Sequence, residues 1–173
     1  MGFLRALNDA IDKNTVNRAW GRSKQVDWAA WAARNGWTYQ PQAPELANAW
    51  RDFDGIEDYR HLMTTTLHDR SVTAFECIAH RHLSFGAAPG VLGVNGYLIV
   101  RLPAAVAEPY ASQRMHKTLR SFGVGLPAQY NAHFQNQDLI AVHNGLHDPR
   151  RLQGEADWIA RLISKAPRDF WRA

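Results

Sequence analysis

Cys77 is the only cysteine in a chain of 173 residues. A lone thiol can form neither an intrachain disulfide nor a thiolate metal cluster, so disulfide-framework, redox-pair and zinc-finger readings fall away. Long apolar runs are missing too, since no stretch approaches the ~18–20 residues that a membrane-crossing helix needs. The N-terminus carries no apolar block followed by a small-residue cleavage site, and a cytoplasmic protein is expected. Met1-Gly2 would suit an N-myristoyl group, but Ala6 stands where that pattern wants Ser or Thr. The glycine-rich segment with Gly86, Gly90, Gly93 and Gly96 has neither the GxGxxG order nor the lysine of a phosphate loop, and it reads as a hairpin loop. Ser71 and Ser84 lack the GxSxG setting of a hydrolase nucleophile.

What is present is the composition of an ordinary globular domain, 46% hydrophobic and 21% charged. Its net charge of +4 is unevenly spread. Residues 1–26 hold five basic side chains (Arg5, Lys13, Arg18, Arg22, Lys24) against Asp9 and Asp12, a local +3. The other 147 residues hold fifteen against fourteen, only +1. The body is therefore nearly neutral, and a groove for a polyanion running across it is not expected. The arm itself has Phe3, Leu4, Leu7 and Ile11 at helical spacing, one short amphipathic stripe. That stripe ends near Asn14, a second turn follows, and Gly21 to Ser23 read as a connector.

The segment VDWAAWAARNGWTY places three tryptophans within ten positions. Asp27 can cap a helix, Ala-rich residues 28–35 favour it, and Gly36 suits the left-handed position that ends it. Trp28 and Trp31 then share a face, and Trp37 with Tyr39 alternate as in a strand. A base-stacking platform would interleave aromatics with several basic side chains, whereas only Arg34 intervenes, so these indoles read as core. Pro44 to Trp50 suggests two helical turns. DYRHLMTTTL and SVTAFECIAH, joined by HDR, form a β-hairpin, YLIVRLP a third antiparallel strand and DLIAV a further short one. Residues 104–121 stay ambiguous, with a thin helical stripe from Pro109. Asp148 and Pro149 suit the start of a helix carrying Leu152, Ala156, Ile159, Leu162 and Ile163, after which Phe170 and Trp171 should fold back. The expectation is α+β: a basic arm, residues 1–26, and one domain, residues 27–173, whose antiparallel sheet is packed by the Trp-rich helix and the C-terminal helix.

Alternation in the hairpin's second arm sets Val72, Ala74, Glu76 and Ile78 on one face and Phe75 and Cys77 on the other, which leaves Glu76 on a partly apolar face. His80 and His82 share a strand face, where they could bind one metal ion together, with His61 and His68 on the partner arm. Cys77 beside Glu76 admits a nucleophile, though a lone cysteine in an apolar strand is more commonly inert core. His143 and His147 are four apart, but across an Asn-Gly turn instead of along a helix, which weakens them as a pair.

The motifs DWAAWAARNGWTY, VTAFEC, YLIVRLP, YNAHF, HDPRRL, ADWIARL and the terminal FW together resemble a group of small actinobacterial and phage-borne hypothetical proteins, some with a domain of unknown function. The resemblance spans most of residues 27–171 and implies the order of elements; none of its motifs is catalytic. A non-enzymatic protein-binding or regulatory module is therefore the expected function, with Phe3, Leu4, Leu7, Ile11, Arg18, Arg22 and Lys24 as its contact surface and no cofactor. Peripheral membrane contact through the same arm is a further expectation. The alternative is a small enzyme or metal-binding protein built on Glu76, Cys77, His80 and His82.

Overall fold

In the computed structural model the structure describes residues 25–49, 56–80, 92–107, 129–166 and 168–171, together with Arg18, Gly21 and Arg22. Helix α1 (Trp28–Asn35) forms as its caps dictate. The Asp27 carboxylate accepts the Ala30 N–H at 3.0 Å, and Gly36 closes the helix at φ 74°, where a side chain would be strained. The Trp37 N–H then donates back to the Ala32 carbonyl, and the chain turns directly into β1 (Thr38–Gln42).

Five more strands follow: β2 (Ile56–Leu67), β3 (Arg70–His80), β4 (Leu92–Arg101), β5 (Asn131–Gln135) and β6 (Asp138–Asn144). They make one sheet in the order β1-β2-β3-β4-β6-β5, antiparallel at every pairing. The β2–β3 turn places His68 and Asp69 at φ 49° and 60°, the doubly left-handed pair whose twist suits a two-residue hairpin. Helix α2 (Leu152–Ser164) completes the fold.

Alternation along the strands divides the interior. On one face Met63, Val72, Ala74, Leu98, Val100, Leu139 and Ala141 meet the indoles of α1 and the apolar stripe of α2. On the other, Tyr59, Phe75, Cys77, Tyr97, Ile99 and Ile140 meet Ala43 and Leu46. The three indoles belong to the first cluster. Trp28, Trp31 and Trp37 are 2%, 8% and 5% exposed, with successive ring centroids 5.6 and 5.8 Å apart. Two of them also tie this segment to the start of α2, since Trp31 Nε1 donates to the Pro149 carbonyl at 2.8 Å and Trp37 Nε1 to Gln153 Oε1 at 2.6 Å. Phe170 folds back into this cluster, and Trp171 bridges to Val106.

Several sequence expectations are corrected in detail. The helical turns read from Pro44 are present as a 3-10 helix, Pro44–Asn48, which ends two residues short of Trp50. The third strand starts at Leu92, inside the segment read as a glycine loop, because Gly93 and Gly96 sit in the ladder opposite Ala79 and Glu76. Helix α2 starts three residues later than the Asp148-Pro149 signature suggests. Asp148 instead organises a turn, its carbonyl accepting from Arg151 and Leu152 and its carboxylate from the Arg150 N–H. Gly21 and Arg22 are helical, not a connector. Most of the arm and the segment 108–128 lie outside the described residues.

Candidate functional site

Glu76 follows Val72 and Ala74 on the helix-covered face of β3, and its side chain is completely buried. A buried carboxyl group needs dedicated hydrogen-bond partners. One is the backbone of the loop after β6, where the His147 N–H donates to Glu76 Oε1 at 2.9 Å across 71 residues of sequence. Lateral pairing extends the row, with Arg60, Glu76, Gly96 and His143 at matching register on β2, β3, β4 and β6.

Gly96 explains how two imidazoles enter this row. A β-carbon there would stand 2.4 Å from His143 Nε2 and 3.0 Å from His147 Cε1, so the missing side chain is the space in which the rings meet. His143 Nε2 and His147 Nδ1 lie 3.1 Å apart, and His147 Nε2 sits 3.2 Å from both the Phe75 and the Tyr97 carbonyl oxygens. Because carbonyls only accept, the proton of His147 belongs on Nε2. Gly96→Ala is expected to destabilise the protein by about 1–3 kcal/mol through overpacking. Combined with His143→Ala it should cost less than the two single substitutions added together, a coupling that urea unfolding of the four-protein cycle measures.

The rings flanking the row fix its electrostatics. Burial drives His147 down to about 3, and the neighbouring His143 adds to the effect. His143 is lowered mainly by burial; the Asn144 carbonyl and Glu155 oppose that, and Arg151 adds to it. Tyr130 packs edge-on against His143 with centroids 5.0 Å apart and donates its O–H to Glu155 Oε2 at 2.7 Å. On the other side His61 lies between Trp28 and Tyr39, whose O–H meets His61 Nδ1 at 2.9 Å. Burial, then Arg60, lowers His61 to about 4. His61 and Asp58 both adopt positive φ, 53° and 54°, within a strand whose register with β3 shifts on either side of Arg60. Bulges of this kind re-aim side chains, and strained non-glycine residues persist where the surroundings over-determine them.

The structure separates two members of the enzyme alternative, Glu76 and Cys77. Glu76 faces the helices, while Cys77 faces the opposite cluster, fully buried, its thiol pushed far up by burial and by the nearby Glu76. A thiol in that state is not a nucleophile. His80 ends β3 opposite Leu92; its side chain and all of His82 lie outside the described residues. Among the described residues no group of three or more His, Cys, Asp or Glu side chains is placed to hold a metal ion. Of the proposed contact residues, Arg18 and Arg22 are exposed, whereas Phe3, Leu4, Leu7, Ile11 and Lys24 lie outside the described residues.

His143 and His147, discounted in the sequence because a turn lies between them, are the pair that the fold does bring together with Glu76. Spacing along the chain gave no signal of this. The one usable cue was the unusual position of Glu76 in an apolar alternation. Comparison with protein-family models, curated proteins and solved structures finds no match. Among the described residues, no helix is long and apolar enough to cross a membrane.

Proposed function

We propose that this chain is a non-enzymatic protein-binding or regulatory module in which the sheet domain carries the basic N-terminal arm. The observation that supports this reading is the distribution of reactive groups. Glu76, His143 and His147 are buried under the helices, and Cys77 is buried on the opposite face, so none of these four stands at the surface. Acid–base and nucleophilic catalysis need their groups within reach of one substrate atom. The exposed guanidiniums of Arg18 and Arg22, in the segment that holds most of the chain's excess charge, suit a partner with an acidic surface.

The test is affinity purification from the native host with full-length protein and with a form lacking residues 1–22. A partner held only by the full-length chain, and released by moderate salt, is the expected result. Equal capture by both forms would remove the arm from the reading. Binding of the full-length chain to anionic vesicles in place of a protein would move it to a membrane surface.

A further inference from the structure

Three contacts in the histidine pair each require a ring N–H. His147 Nε2 faces the Phe75 and Tyr97 carbonyls, His143 Nδ1 faces the Asn144 carbonyl at 3.1 Å, and His143 Nε2 faces His147 Nδ1. Two neutral imidazoles supply only two N–H groups. With His147 protonated on Nε2, the neutral pair has two arrangements. In one, His143 donates to His147 and turns a bare Nδ1 lone pair toward the Asn144 oxygen. In the other, His143 donates to Asn144, and two ring lone pairs face each other across 3.1 Å. Either way one contact is repulsive. One additional proton, placed on His143, fills all three. A second would convert His147 Nδ1 into a donor and set N–H against N–H.

We propose that His143 and His147 form a buried one-proton site, in which the pair takes a single proton from solvent onto His143 and thereby tightens the loop of residues 145–151 on the sheet. This loop is well placed to report the change. Its Gly145 N–H donates to the Val94 carbonyl at 2.7 Å, its His147 N–H to Glu76, and its Pro149 carbonyl accepts the Trp31 indole N–H. It also leads directly into α2. Among the described residues, charged and titratable groups reach the pair from each surrounding element: Glu76 on β3, His61 on β2, Tyr130 just before β5, Glu155 on α2 and Arg151 at its cap. The order of uptake agrees with the electrostatics, since His143 further lowers the proton affinity of an already buried His147. The inference is independent of the protein-binding reading; it stands on the hydrogen-bond geometry of the pair.

The experiment is long-range proton–nitrogen NMR of the full chain labelled with nitrogen-15 in histidine, followed from pH 8 to 4. The expected result has His147 as the Nε2–H tautomer throughout and His143 titrating below 6.5 with one proton taken up. Substituting His143→Gln, which keeps an N–H donor without titrating, should abolish that step and leave the His147 tautomer unchanged. Protonation of His147 before His143, an Nδ1–H tautomer of His147, or both rings titrating together near 6.5 would overturn the proposal. Should the Gln variant not fold, the wild-type spectra alone decide between these outcomes.

Discussion

Between pH 6.5 and 4.5 the protein is expected to lose roughly 4 kcal/mol of stability, seen as a fall of about 10 °C in its melting temperature. The sign follows from the direction of the shifts. His147 is lowered to about 3 and His61 to about 4 in the folded chain, with His143 lowered as well, all chiefly by burial. Unfolded histidines bind protons near 6.5. Above that pH neither state carries these protons and they contribute nothing. Below it the unfolded chain gains them first, so each histidine removes about 1.4 kcal/mol per pH unit until its folded value is reached. Buried His147 contributes that slope over most of the interval, whereas partly exposed His61 contributes less because solvent screens it. The double substitution His61→Gln and His147→Gln should flatten the profile over this range even where its stability at neutral pH is lower. A wild-type melting temperature constant from pH 7 to 5 would show that these rings are not held neutral by the fold.

Trp31→Ala is expected to cost about 3–5 kcal/mol in urea unfolding, a large share of the stability of a domain this size. Trp31 is the middle indole, in ring contact with Trp28 on one side and Trp37 on the other, and its N–H holds the Pro149 carbonyl. Removing it opens a cavity, breaks two aromatic contacts and leaves an acceptor without its donor. Trp37→Phe keeps most of its ring and loses the bond to Gln153, so about 1 kcal/mol is expected there. A cost of about 0.5 kcal/mol or less for Trp31→Ala, the usual range of a surface substitution, would contradict the core role assigned to the three indoles.

How much of this was legible in the sequence depends on the range of the interaction that decides each feature. Helix α1 was readable because Asp27 and Gly36 act on amides within four residues of themselves. The β2–β3 hairpin and the stripe of α2 were readable because alternation and helical spacing are equally local. Strand β5 was not read as a strand: its five residues are all half-buried and show no alternation, and YNAHF stood there only as a motif of the resemblance. The Asp148-Pro149 pair carries the usual signature of a helix start, yet Asp148 spends its acceptors on a turn, and the chain enters α2 only at Leu152. The polar cluster was the least legible part. Glu76 meets His147 across 71 residues, Gly96 matters for what its missing side chain admits, and the positive φ of His61 leaves no mark in the residue type.

The hydrogen bond from Trp31 to Pro149 spans 118 residues, and it has a consequence during synthesis on the ribosome. At the usual ~5–20 residues per second, roughly 6–24 s pass between emergence of Trp31 and arrival of the segment that covers it. Over that interval the indoles of Trp28, Trp31 and Trp37 emerge with no C-terminal helix to bury them. Nascent chains stalled before residue 149 should therefore bind chaperones that recognise aromatic surface, and release them once α2 has been made.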